Sequence, residues 1–267
     1  MLLLCSASAG LSIYAAGYLR RGEESLPGIY SLLYHLFLAS MAFVLLADDA
    51  YAFLVAWEAM ALSSFFLVTT EHNLAEIRRA GYLYLLLAHV GAVGILLAFG
   101  VMAQTSGDFT FASMREIPVQ GVWSSVAFLL ALFGFGAKAG LLPLHVWLPE
   151  AHPAAPSPVS AMMSGVMLKT AIYGLLRVGF DLLHAELWWW GGVLLVLGLF
   201  TALFGVIFSA IQTDMKRLLA YSSIENIGLI FTGLGLALIF KAFSQPHFAS
   251  LALTAALYHC LNHAFFK

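Results

Sequence analysis

Long stretches of apolar residues recur from one end of this sequence to the other. Each is about 17–25 residues long, the length that an α-helix needs to cross the hydrocarbon core of a bilayer. Only 10% of the residues are charged, against about 25% in an ordinary soluble domain. The sequence therefore predicts an all-α polytopic membrane protein of about nine transmembrane helices. The nine runs are 1–19, 29–47, 50–69, 80–103, 123–142, 158–180, 188–212, 222–240 and 248–267.

Basic residues are divided unevenly between the loops on the two sides of the predicted membrane. The side with more lysine and arginine is usually cytoplasmic, and this places the N-terminus outside a multi-pass protein of the cell inner (plasma) membrane. The net charge of −2 gives no indication of a nucleic-acid partner. The predicted cytoplasmic side has Arg20, Arg21, Arg78, Arg79, Lys216 and Arg217, and the other side has Arg115, Arg177 and Lys241.

Cysteine usage gives no sign of a cofactor. Cys5 and Cys260 both lie in apolar runs and have no partner at metal-ligand or redox spacing. We therefore expect no iron–sulfur cluster, haem or metal in this chain. The chain also stops at Lys267 before its last helix has a stop signal, so we expect it to be a fragment of a larger protein.

Five charged side chains fall inside the apolar runs. A charge near the bilayer centre costs about 2.5–3.5 kcal/mol on insertion scales, so these groups are expected to face the protein interior or water. Glu58 and Lys138 lie deep in their runs, and we predict that they form a neutralising pair within about 4 Å or one water further. A purely structural ion pair is the alternative, although buried pairs stabilise less well than apolar packing. The five are Glu58, Lys138, Lys169, Glu225 and Lys267.

Three polar residues follow one another along the last predicted helix. His259, His263 and Lys267 are spaced four residues apart, which stacks them on one face of an α-helix. Imidazole and desolvated lysine both exchange protons near neutral pH, so the row predicts proton transfer through water. Metal binding by the two histidines is conceivable, but a third ligand is missing.

Three further residues are accessory candidates. His35 and His89 stand alone in their runs, and a lone histidine in a membrane helix is typically a hydrogen-bonded core residue. Glu225 either joins the buried polar groups or lies at the membrane interface beside Lys216 and Arg217.

Five of the eight prolines lie between residues 135 and 161. Proline interrupts helical hydrogen bonding, and the freed carbonyl groups need water or neighbouring protein at membrane depth. The segment therefore predicts a helix broken between Pro143 and Pro158, beside a cavity on the cytoplasmic side. A plain kinked hairpin is the alternative, but it does not explain the lysines on either side of the break, Lys138 and Lys169.

The segment around this break resembles a known family. "GAKAGLLPLHVWLPEAHPAAPSPVSAMMSGVMLKTAIYGLLR" is similar to the signature segment of the antiporter-like proton-translocating membrane subunits found in complex I, Mrp-type antiporters and membrane hydrogenases. Three other segments resemble further family blocks, and two of them are most similar to the hydrogenase-4 component B subfamily. These segments are "VAWEAMALSSFFLV", "DMKRLLAYSSIENIG" and "LNHAFFK".

The resemblance implies a bundle of two inverted five-helix repeats, each with a broken helix. Residues 1–267 would form a single transmembrane domain, with the first repeat at 29–180 and an incomplete second repeat at 188–267. By matching position, Glu58 would be the pair-forming glutamate and Lys138 the lysine that it modulates. Further along the proton path would lie Lys169, His259, His263 and Lys267, with Pro143 and Pro158 at the helix break.

The function implied by the resemblance is that of a proton-translocating subunit of a redox-driven complex, of the hydrogenase-4/formate hydrogenlyase or complex I type. Such a subunit has no redox centre of its own and works with other membrane subunits and peripheral redox subunits in the lipid bilayer. A sodium/proton antiporter subunit is the first alternative, although the runs contain no acidic cluster for Na⁺. A non-transporting membrane scaffold is the second, although it does not require three intramembrane lysines.

Overall fold

A computed structural model describes residues 1–21, 27–184 and 187–267, and these residues form helices without any strand. The predicted loop after Arg20 and Arg21 falls on residues 22–26 and so lies outside the described residues, as do the side chains of both arginines. The α-helices are α1 Leu2–Arg21, α2 Pro27–Leu46, α3 Ala50–Val68, α4 Ala75–Ser106, α5 Phe111–Glu116, α6 Val122–Ala139, α7 Leu148–Ala154, α8 Ser157–Met162, α9 Leu168–Leu176, α10 Trp188–Ala210, α11 Met215–Ala242 and α12 Pro246–Phe266.

Seven helical segments in the described part of the chain are long and apolar enough to cross a membrane. They correspond to the second through eighth predicted runs, with Ser157–Leu182 as one span. The first run forms a shorter apolar helix, Leu2–Tyr18, and the ninth forms α12, which has 21 residues. The architecture therefore confirms the predicted all-α membrane bundle.

The span Ser157–Leu182 is not a uniform α-helix. π-helical segments occupy Met163–Met167 and Arg177–Leu182, on either side of α9. Single π turns inside α-helices occur frequently at functional sites. Lys169 is the second residue of α9 and follows the first π segment directly.

The chain breaks after α6, as the prolines predict. α6 ends at Ala139, where Gly140 adopts a left-handed conformation with φ of 82° and its N–H bonds to the carbonyl of Gly136. Turns then lead to α7, which has only seven residues, and a second interruption at Pro156 precedes α8. Residues 143–157 therefore do not form a continuous helix.

Ion pairs connect the helix ends that lie opposite the break. Asp181 accepts hydrogen bonds from Arg115 at 2.7 and 2.8 Å and from Arg177 at 2.6 Å. Hydrogen bonding to Asp181 raises the pKa of Arg115 above its usual value. The network joins α5 to the end of the span that begins at Ser157.

Glycines allow α10 and α11 to pack with their backbones in contact. A Cβ atom built on Gly228 would lie 2.3 Å from the backbone nitrogen of Ala202, and one on Gly198 would lie 2.6 Å from that of Thr232. Small residues at such positions let membrane helices approach closely. No side chain fits at either glycine unless the helices separate.

Replacing Gly228 with valine is expected to push α10 away from α11 and to lower the free energy of unfolding by about 1–3 kcal/mol or more. Thermal unfolding of the purified protein measures this loss. Gly192→Val is a matched control, because a Cβ atom there would meet only the Trp188 ring, at 3.9 Å. Equal losses in the two variants would contradict the proposed role of the contact.

Candidate functional site

Lys138 is buried in the last turn of α6, with 2% of its surface exposed. A cation there faces the negative end of the helix dipole, which offsets part of the cost of burial. The ammonium donates a hydrogen bond to the hydroxyl of Tyr84 at 2.8 Å and lies 4.8 Å from the centre of its ring. The Tyr84 hydroxyl lies 2.5 Å from Oγ of Ser64 on α3. Neutral hydroxyl groups therefore surround the lysine charge.

The direct ion pair predicted between Glu58 and Lys138 is wrong for this structure. No salt bridge joins them within the described ranges, and Oε2 of Glu58 lies 3.4 Å from Nε2 of His89 instead. The reason is their position along α3. Ser64 marks the level of the Lys138 ammonium and comes six residues after Glu58, which is about 9 Å along a helix.

The two accessory histidines are exposed, so their prediction as core residues is wrong. Nδ1 of His35 lies 2.7 Å from the carbonyl oxygen of Ser31 in the same helix. His89 makes the equivalent contact with Leu85 at 2.9 Å. The contact with Glu58 gives His89 a place in the candidate site.

A second buried cluster surrounds Lys169. Its ammonium donates to the carbonyl of Ser164 at 2.6 Å and lies 2.8 Å from Nδ1 of His263. A protonated lysine only donates, so Nδ1 accepts and a neutral His263 carries its proton on Nε2. Two residues of the predicted proton path, from α9 and α12, therefore share one hydrogen bond.

His152 was not predicted from the sequence, although it lies in the break. It belongs to α7 and is 3% exposed. Nδ1 lies 2.7 Å from Oγ of Ser160, and Nε2 is buried without a hydrogen-bond partner among the described residues. The only signal in the sequence is a histidine among the prolines of "EAHPA".

The other two path residues of α12 contact α11. Nε2 of His259 lies 2.8 Å from Oδ1 of Asn226, and Lys267 donates to the carbonyl of Leu219 at 2.8 Å. The predicted row is therefore divided, since His263 contacts α9 while its neighbours contact α11.

Glu225 lies close enough to Lys267 for the two charges to interact. The basic residues expected beside it bond elsewhere. Lys216 donates to the carbonyls of Pro153 and Ala155, and Arg217 pairs with Glu150 at 3.0 Å. These contacts favour the interpretation of Glu225 as an accessory residue of the buried path.

Within the described ranges, no group of three or more histidine, cysteine, aspartate or glutamate residues could hold a metal ion. His259 and His263 bond instead to Asn226 and Lys169, as described above. Their nitrogen atoms are arranged for hydrogen bonding between helices.

The fold and the site together define a class of protein. It is a helical membrane bundle with a broken helix, in which two buried lysines bond to groups that exchange protons or solvate a charge. The chain belongs to the NADH:quinone oxidoreductase/Mrp antiporter transmembrane family, which it matches over residues 47–267.

Individual relatives agree with this assignment. The chain is 44% identical over 258 residues to hydrogenase-4 component B and 34% identical over 262 residues to formate hydrogenlyase subunit 3, both from Escherichia coli strain K12, with 96% of the chain matched in each case. It spans only 38% and 40% of the length of these two proteins. A chain in the structure of the Mrp complex from Dietzia sp. DQ12-45-1b superimposes with a TM-score of 0.87 at 30% identity, covering 99% of this chain and 28% of that one.

Proposed function

We propose that this chain belongs to a proton-translocating membrane subunit of a redox-driven complex, of the kind represented by hydrogenase-4 and formate hydrogenlyase. The observation that carries this proposal is the buried hydrogen bond between Lys169 and His263. Ionisable groups inside a membrane protein are costly to keep and are typical of proton relays. Apolar packing would serve stability better than such a contact.

The proposed path runs from Lys138 to Lys169 and His263, and then towards His259 and Lys267. Its support is the burial of both lysines, with 2% and 8% of their surfaces exposed, and the direct contact between α9 and α12. The chain itself would hold no redox cofactor, and peripheral subunits of the complex would supply the redox chemistry. The similarity to relatives named as subunits or components supports the presence of membrane partners.

The first repeat is proposed to occupy residues 29–180, and the second to begin in residues 188–267. The break between α6 and α8 supports this division, because each repeat of the family type is expected to contain one broken helix. The second repeat would have its own break in the longer protein, beyond Lys267.

Proton uptake into inverted vesicles that contain the full-length subunit in its complex tests the proposed function. Redox turnover is measured in the same vesicles, and Lys169→Ala is expected to remove uptake while the complex still assembles. Full uptake in that variant would favour a scaffold. The structural similarity to the Mrp complex favours one alternative, sodium/proton exchange, and uptake that requires Na⁺ would support it.

The break is proposed to face the cytoplasm, with the N-terminus on the other side. Lys216 and Arg217, two of the residues that define the predicted cytoplasmic side, contact α7 and its C-terminal flank within the break. This contact connects the break to the side rich in basic residues.

A cysteine at position 157 tests this orientation. In a Cys5→Ser, Cys260→Ser background, Ser157→Cys is expected to react with an impermeant maleimide in inverted vesicles but not in intact cells. Ala112→Cys is the matched control, because Ala112 is exposed on α5, near the opposite end of the bundle, and it should show the reverse pattern. Labelling of residue 157 in intact cells would invert the proposed topology.

A further inference from the structure

Both members of the predicted ion pair bond to side chains of the same helix, α4. Tyr84 accepts the hydrogen bond from Lys138, and His89 contacts Glu58. Tyr84 and His89 are five residues apart in the sequence, which is about 7.5 Å along an α-helix. One helix therefore supplies separate partners for the lysine and the glutamate, at two different levels.

The hydroxyl chain beside Lys138 solvates its charge and leads no further. The ammonium donates to Tyr84, and the Tyr84 hydroxyl lies within hydrogen-bond distance of Ser64. The Ser64 hydroxyl donates to the carbonyl of Met60 at 2.6 Å. A backbone carbonyl accepts a hydrogen bond but has no proton to pass on. This arrangement therefore keeps the charge on Lys138 instead of conducting its proton.

The Tyr84 ring is itself held firmly. It is 1% exposed, and its centre lies 5.0 Å from that of the Trp147 ring. The Trp147 indole donates a hydrogen bond to the carbonyl of Ala137, one residue before Lys138. Tyr84 and the end of α6 are thus connected through Trp147, and the hydroxyl stays opposite the ammonium.

Glu58 is held on the outer surface of the bundle. Its side chain is 33% exposed and that of His89 is 49% exposed. The contact with His89 gives the carboxylate a partner that does not require Lys138. Each member of the predicted pair therefore has a hydrogen-bond partner of its own while the two remain apart.

We propose that Tyr84 and His89 are positioning residues that keep Glu58 and Lys138 separated, and that this structure shows the separated state. The two side chains compete with the ion pair, so the pair forms only when both contacts are given up. The importance of this switch for transport rests on the proposed function, whereas the competition itself follows from the contacts. Removing either competitor should favour the ion pair.

A double-mutant cycle measures that competition directly. The cycle combines Glu58→Gln with Lys138→Met and determines their coupling from the unfolding equilibrium of the full-length protein. With Tyr84 present, the two substitutions are expected to be additive. In a Tyr84→Phe background, they should show coupling on the order of tenfold in the unfolding equilibrium, because a hydrogen bond to a charged group is lost and the ion pair replaces it.

Matched controls separate this effect from a general loss of packing. Tyr82→Phe removes a hydroxyl from an exposed position of α4 that makes no contact with Lys138, and the substitutions should stay additive in this background. His89→Leu should create coupling, whereas His35→Leu, at an exposed position of α2, should not. If Lys138→Met does not fold, Lys138→Gln completes the same cycle.

Strong coupling in the unmodified background, or no coupling after Tyr84→Phe, would overturn the proposal. Neither result depends on transport. Proton uptake is measured separately, and a variant with new coupling but unchanged uptake would support the positioning role while contradicting a role of the pair in the proposed function.

Discussion

Lys138→Ala is expected to abolish proton uptake by the assembled complex while leaving membrane insertion intact. A positioned proton-transfer group contributes about 10²–10⁴-fold to a rate, so uptake should fall by at least about 100-fold. The helix end should survive, because Gly140 caps α6 through its backbone and Trp147 bonds to the carbonyl of Ala137. Proton uptake in vesicles, measured alongside redox turnover, gives the result.

Lys138→Arg distinguishes a proton carrier from a fixed charge. The guanidinium stays protonated at any accessible pH, so this variant keeps the positive charge but cannot release a proton. We expect it to fail almost as completely as the alanine variant. Uptake at the unmodified rate would show that Lys138 supplies only a charge.

His263→Leu is expected to lower proton uptake about as much as Lys169→Ala does, by roughly 100-fold or more. His263 is fully buried and lies 2.8 Å from Lys169, so its loss removes the contact between α9 and the imidazole of α12. The uptake assay in vesicles measures both variants. His259→Leu is the matched control, and it should have a smaller effect because His259 contacts Asn226 instead of Lys169.

His263→Gln separates proton transfer from solvation of the lysine. A glutamine oxygen can accept the lysine hydrogen bond, but an amide does not exchange its proton as imidazole does. Thermal stability should therefore be closer to that of the unmodified protein than in His263→Leu, while uptake stays low. Recovery of uptake in the glutamine variant would mean that His263 only solvates Lys169.

The helices and the break could be predicted from the sequence because both depend on local chemistry. The length of each apolar run sets the length of its helix, and the predicted run 188–212 differs from the observed α10, Trp188–Ala210, by two residues. Proline excludes regular helical bonding wherever it lies in a helix interior. The cluster around Pro143 and Pro158 therefore indicated the interruption without knowledge of any neighbouring helix.

The side-chain contacts of the site could not be predicted in the same way. Glu58 and Lys138 lie on different helices, and their separation depends on how far α3 and α6 are shifted along each other. Periodicity within one helix does not contain that information. Tyr84 had no distinguishing signal either, since a tyrosine in an apolar run looks like an ordinary packing residue. Its role became visible only when its hydroxyl was found beside the Lys138 ammonium.

The π-helical segment Met163–Met167 determines the direction in which Lys169 points. A π turn contains one residue more than an α turn, and each residue of an α-helix advances the chain by about 100° around the axis. Relative to a regular helix that starts at Ser157, α9 is therefore rotated by about one residue step. Without this insertion, the same sequence would turn the ammonium away from His263 by roughly a quarter of a circle. The compass bearing of Lys169 is thus written into the backbone several residues before the lysine itself.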